Sequence, residues 1–108
     1  MKRRGDDNPS EERKLELLAQ ALAALREPGH VRAFLEDLCT PAELEAMSDR
    51  WRVVPLLEQG VPYREIHELT QVSVTTIGRV ARTLERGTGG YALALRRRSR
   101  TASARNAS

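Results

Sequence analysis

Pro62-Tyr63-Arg64-Glu65-Ile66-His67-Glu68-Leu69-Thr70, then Gln71-Val72-Ser73, then Val74-Thr75-Thr76-Ile77-Gly78-Arg79-Val80-Ala81-Arg82-Thr83-Leu84 reads as two short amphipathic helices joined by a tight turn. Ile66, Leu69, Val72, Ile77, Val80 and Leu84 recur at the spacing that places them on the inward faces, and Ser73 is placed to cap the second helix. Thr75, Thr76, Arg79, Arg82 and Arg86 are then left on the outside. Gly87-Thr88-Gly89-Gly90 ends the second helix. It follows no strand and has no Lys-Ser/Thr after it, so it is not a phosphate-binding loop.

Upstream of this hairpin, Thr40-Pro41-Ala42-Glu43 carries the signature of a helix start, a hydroxyl cap with a glutamate three residues on. The helix it opens bears Leu44, Met47, Trp51, Val54 and Leu57 and is expected to end near Gln59, with Gly60 in the left-handed cap position. Pro55 lies inside it and should interrupt it, with a kink near Arg52, because a proline lacks an amide proton and its ring crowds the preceding turn. Further upstream, Asn8-Pro9-Ser10-Glu11 predicts a helix to about Arg26, with Asn8 as cap and an apolar line of Leu15, Leu18, Leu22 and Leu25. Pro28-Gly29 should break the chain before a shorter helix edged by Val31, Phe34, Leu35 and Leu38. Downstream, Tyr91-Ala92-Leu93-Ala94-Leu95 adds one more turn, and order is expected to fail after about Arg98.

The domain organisation that follows is a disordered stretch over 1–7, one helical domain over 8–95 with its helix-turn-helix at about 62–86, and a basic disordered tail over 96–108. A chain of 108 residues that is 40% hydrophobic and only 4% aromatic must build its core from Leu, Val and Ala, a palette that favours an all-α fold. So small a monomer buries a modest share of its surface, which makes a partner chain useful.

The net charge of +3 is misleading about the folded body. Arg96, Arg97, Arg98, Arg100 and Arg105 lie where no acidic residue follows, and subtracting their five charges from +3 leaves −2 on residues 1–95. The tail therefore attracts phosphates without geometry, and the hairpin must carry any specificity. No run approaches the length of a membrane span and the first residues lack a secretory apolar segment, so the protein is expected in the cytoplasm, away from membranes. Cys39 is the only cysteine, which excludes an intrachain disulfide and a cysteine zinc site. His30 and His67 have no metal-ligand spacing and read as surface or capping residues, and Cys39 as a small buried hydrophobe. No metal, no cofactor and no catalytic set is expected, so the protein is read as not an enzyme.

A helix-turn-helix lays its first helix across the DNA backbone while the second projects into the major groove. The second helix here, about 74–86, has an apolar inner face and a polar, basic outer one. Ser73, Thr75 and Thr76 can bond phosphates or base edges, and Arg79 or Arg82 can take a guanine bidentately or sit on phosphate. Arg64, on the first helix, is a further candidate contact. By the same pattern the hairpin can equally dock a protein partner while its arginines solvate a face.

Residues 37–95 resemble the Trp repressor superfamily, and more closely its YerC/YecD-type branch. The likeness is carried by Asp37-Leu38-Cys39-Thr40-Pro41-Ala42-Glu43, Arg50-Trp51, Gly60, Tyr63-Arg64-Glu65-Ile66, Val74-Thr75-Thr76-Ile77 with Arg79-Val80, and Gly89-Gly90-Tyr91-Ala92-Leu93-Ala94-Leu95. The resemblance implies an intertwined helical homodimer in which N-terminal helices of both chains share one core, a helix-turn-helix reading head, double-stranded DNA as partner and a regulatory role as a repressor. It also implies an effector pocket at Thr40, Arg50, Arg79, Val80 and Thr83. Thr40, Arg50 and Arg79 match the tryptophan pocket of the repressor, whereas Val80 and Thr83 stand where that pocket has a small Gly and a Ser. A branched side chain overlaps a flat ring, and such overpacking costs about 1–3 kcal/mol, which disfavours tryptophan as the ligand. Arg50 has a plainer reading as the salt-bridge partner of Glu43, Glu45 or Asp49, and Trp51 as a core or dimer-interface residue.

Overall fold

A computed structural model describes residues 9–107, with side chains placed through Arg98. The described residues form six helices and no strand: α1 (Glu11–Ala24), α2 (Pro28–Leu38), α3 (Pro41–Glu58), α4 (Tyr63–Thr70), α5 (Val74–Arg86) and α6 (Gly90–Ala107). The all-α expectation holds. Where one domain was expected over 8–95, the chain divides into two compact units, Met1–Pro41 and Ala42–Ser108.

In the N-terminal unit, α1 begins at Glu11 under a Ser10 cap whose Oγ accepts from the Arg13 amide at 3.1 Å. Asn8, the expected cap, lies outside the described residues. The start shifts to Ser10 because its hydroxyl satisfies an otherwise unpaired first-turn amide, and Glu11 and Glu12 then sit at the positive end of the helix dipole. Leu25 is extended and ends α1 at Ala24, two residues short of Arg26. Pro28-Gly29 opens α2 rather than breaking the chain: proline at the first helical position lacks only an amide that would be unpaired there anyway. Neither α1 nor α2 contains a buried residue; Leu15 is 67% exposed and Leu38 51%.

The C-terminal unit holds the core. Val53, Val54, Ile66, Ile77 and Val80 are fully buried, Val72 and Leu95 nearly so, and Trp51, Leu56, Leu57, Val61, Leu84 and Tyr91 pack around them. The expected interruption at Pro55 does not occur, since α3 is helical throughout Pro41–Glu58. Pro55 stands one turn before the helix end, so its missing amide removes a single backbone bond where few residues remain, and the burial of Val53 and Val54 holds the turn it crowds. The helix closes with the Val61 amide donating to the Leu56 carbonyl and the Gly60 amide to that of Leu57, both at 3.0 Å. Gly60 has φ +82°, which glycine adopts without strain and which was expected there.

Between α4 and α5 the turn is fastened by side chains. The Thr70 Oγ1 donates to the Ile66 carbonyl (2.7 Å) and accepts from the Val72 amide (3.1 Å). The His67 Nδ1–H donates to the Val72 carbonyl (2.7 Å), so His67 is a capping residue, as expected. Arg52 reaches from α3 to the Thr70 carbonyl (3.4 Å), and Gln71 turns the chain at φ 64°. This network corrects one expected core residue. Leu69 is 58% exposed and Thr70 is buried in its place, because α4 buries the line from Ile66 to Thr70 and the hydroxyl inside completes the turn.

The last expectation to change concerns the C-terminus. The single turn predicted at 91–95 is the start of α6, whose helical backbone continues to Ala107 through the segment read as a disordered tail. Tyr91, Leu95 and Arg98 fall on one side of α6 and explain its anchorage. Leu95 is buried, the Tyr91 ring lies 6.5 Å from that of Trp51 at 36°, and the Arg98 guanidinium sits 5.9 Å over the Trp51 ring.

Candidate nucleic-acid interface and ligand cavity

Ser73 begins α5 in extended conformation, its Oγ accepting from the Thr76 amide (3.1 Å) and donating to the Thr76 Oγ1 (3.0 Å). The cap thus engages two of the expected contact residues with each other. Ile77, Val80 and, in part, Leu84 pin the inner face of α5 to the core, and this orients the rest. Thr75, Arg79 and Arg82 are exposed, Thr76 is half-buried, and Arg64 is exposed on α4.

Arg79, Arg82 and Arg86 follow each other at intervals of three and four, so they share one side of α5 and, with Thr83 and Gly87, line a shallow depression. Among the described residues Arg79 and Arg82 have no acidic partner; Arg86 is 3.9 Å from Glu85 in an exposed contact of little energetic weight. The outer face of α5 is therefore a basic surface whose charge the described residues leave largely uncompensated.

A second feature lies behind it. Arg50, Thr76, Arg79, Val80, Thr83 and Tyr91 line a cavity of about 300 Å³. Four of the five residues expected for an effector pocket, Arg50, Arg79, Val80 and Thr83, are thereby brought together. Thr40 belongs to the N-terminal unit. Among the described residues Arg50 pairs with neither Glu45 nor Asp49, and it borders this cavity. Val80 is buried in the core cluster and forms part of the wall, and the Thr83 Oγ1 is spent on the Arg79 carbonyl at 3.1 Å.

The sequence reading did not include Tyr91 in the cavity. Its only signal was an aromatic residue directly after Gly89-Gly90, where Gly89 has φ +90° and turns the chain back toward α5. Val74 was also passed over. It is half exposed at the first position of α5, an apolar side chain on a face otherwise polar. Trp51 packs against the core as expected, His30 is exposed, and Cys39 is a free, half-buried thiol. Among the described residues no helix is long and apolar enough to cross a membrane.

Two short helices clasped through a capped turn, on an otherwise all-helical chain, make this a protein of the helix-turn-helix class. Residues 13–99 match the model of the Trp repressor protein family, and the chain belongs to that family. It is 33% identical over 85 residues to YerC, an uncharacterised protein of Bacillus subtilis (strain 168), an overlap that takes in 79% of this chain and 82% of YerC. Two crystal structures resemble it. A Trp-repressor candidate from Staphylococcus aureus matches with TM-score 0.75 and 32% identity, over 80% of this chain and 86% of that one. A TrpR-like protein from Eubacterium eligens ATCC 27750 matches with TM-score 0.75 and 34% identity, over 81% and 90% of the two chains.

Proposed function

We propose that the protein is a cytoplasmic, homodimeric transcriptional regulator, a repressor, that reads double-stranded DNA with α5. The observation that carries this reading is the outer face of α5, where Thr75, Arg79 and Arg82 are exposed on a helix held rigidly by Ile77 and Val80 and started by the Ser73 cap. Fixed side chains at the N-terminal end of such a helix are what base-edge recognition in the major groove requires. Arg64 on α4 contacts the backbone. Membership in the Trp repressor family supports regulation rather than catalysis.

The homodimer is supported by the absence of any buried residue in α1 and α2 despite their apolar lines. A second copy supplies the missing cover. The cavity behind α5 supports a small-molecule effector held by Arg50 and Arg79. Val80 is buried and cannot leave its wall without opening the core, which disfavours tryptophan as the effector.

The test compares the wild-type protein with Thr75→Ala, Thr76→Ala, Arg79→Ala and Arg82→Ala and with a deletion of residues 96–108, each on the preferred duplex and on unrelated DNA at two salt concentrations. Loss of a base contact relaxes preference at one position, at a cost of about 1–3 kcal/mol; loss of a phosphate contact weakens all DNA alike. The tail deletion should behave as the second kind. If every variant keeps the wild-type ratio of specific to nonspecific affinity, α5 is not the reading helix. A wild-type protein whose binding is insensitive to salt is a protein-docking module instead.

A further inference from the structure

Gly78 stands in the interior of α5, three residues after Thr75 and four before Arg82, so the three share one side of the helix. Glycine is a poor helix interior residue compared with alanine. Nothing in the surrounding chain asks for it. Its φ is not positive, and at the point a Cβ would occupy the nearest atoms are Arg82 Nη1 and Tyr63 Cε2, each 3.9 Å away, an ordinary van der Waals separation.

What the missing Cβ leaves is a notch over the α5 backbone, walled by a guanidinium on one side and a phenol ring on the other. Both walls are exposed, and neither Arg82 nor Tyr63 has a hydrogen-bond or ion-pair partner among the described residues. A cation and a hydroxyl-bearing ring facing one gap in a helix suit an oxyanion that must come closer to the helix than a methyl group permits.

We propose that the Gly78 notch seats one phosphate of the DNA backbone, with the Arg82 guanidinium donating to its oxygens and Tyr63 walling it from the α4 side. This inference rests on DNA reading by α5. It gives Arg82 a positioning role and leaves base discrimination to Thr75 and its neighbours. The glycine is then kept for the approach of a partner, against the preference of the helix itself.

The experiment uses full-length Gly78→Ala and Arg82→Ala proteins, the duplex that the wild-type protein enriches from a random-sequence pool, and an unrelated duplex. Melting temperatures are recorded in parallel. Gly78→Ala should melt a few degrees higher than wild type, yet bind both duplexes about tenfold more weakly, with their affinity ratio unchanged. Arg82→Ala should weaken both alike and lower the salt slope by about 1. The proposal is overturned if Gly78→Ala binds as tightly as wild type, loses affinity for the enriched duplex alone, or melts lower. An unchanged salt slope in Arg82→Ala overturns it as well. A wild-type protein that enriches no duplex defeats the DNA-reading function itself, a result distinct from all of these.

Discussion

Replacing Thr70 by valine removes one hydroxyl and almost nothing else, so it isolates what fastens α4 to α5. The Thr70 Oγ1 makes two hydrogen bonds, donating to the Ile66 carbonyl at 2.7 Å and accepting from the Val72 amide at 3.1 Å. The two losses differ in weight. The Ile66 carbonyl keeps the backbone bond of α4, whereas the Val72 amide, on a buried residue, is left without a partner. A buried donor stripped of its acceptor costs about 1–3 kcal/mol, and valine matches threonine in shape, so no cavity forms to confuse the result. Thr70→Ser keeps both bonds and gives up only a methyl group, about 1 kcal/mol or less. Urea denaturation at one fixed protein concentration is the assay, since the stability of an associating protein depends on concentration. With a slope of about 1–3 kcal/mol per molar urea, Thr70→Val should lower the midpoint by roughly 1 M without changing the slope, and Thr70→Ser by clearly less. A valine variant as stable as wild type would refute the assignment of the turn to the Thr70 hydroxyl.

Gly87→Ala should destabilise by more than about 1 kcal/mol, because its Cβ would stand 2.5 Å from the Thr83 carbonyl oxygen and the backbone must move; thermal melting equal to wild type contradicts this. Gln71 occupies the left-handed region at φ 64°, so Gln71→Val should cost about 1–2 kcal/mol and Gln71→Gly nothing, read from denaturation midpoints. Ser73→Ala should cost about 1 kcal/mol through loss of the α5 cap, and equal midpoints would show the cap to be idle. In sedimentation at micromolar concentration the chain should run as a dimer, and a stable folded monomer would remove the partner proposed to cover α1 and α2.

The hairpin was legible because its signals are local. Ser73 caps, Ile77 and Val80 keep the helical period, and Gly60 and Gly87 mark stops, so the boundaries of α3 and α5 follow from neighbours in the chain. What was not legible depended on contacts across the fold. Leu69 and Thr70 are adjacent, and hydropathy alone puts the leucine inside; only the hydroxyl's fit to the Val72 amide reverses them. The length of α6 was hidden for a related reason. An Arg-rich, Ser/Ala-rich segment reads as a solvated end, and the anchor at Tyr91, Leu95 and Arg98 exists only because Trp51 stands opposite. For the site, four of five pocket residues came together through family likeness, while Tyr91 required the turn at Gly89 to be seen.

Burial divides the chain into a part that holds itself and a part that does not. Every described buried residue lies between Val53 and Leu95, so the C-terminal unit has a core that fixes α5, whatever happens elsewhere. The N-terminal unit has amphipathic helices with nothing buried, and such helices gain little from propensity alone. Under the proposed dimer this division has a mechanical consequence. A palindromic site is read by two heads held one helical turn of DNA apart, roughly 34–36 Å, and that spacing cannot be set by a head's own core. It must be set by the elements whose apolar faces are completed by the partner. Substitutions along Leu18 and Leu22 are thus expected to change half-site spacing and the concentration at which specific binding appears, and substitutions on α5 to change which bases are preferred. The same protein then carries affinity for a base pattern and tolerance for its spacing on separate stretches of sequence, which lets each vary without disturbing the other.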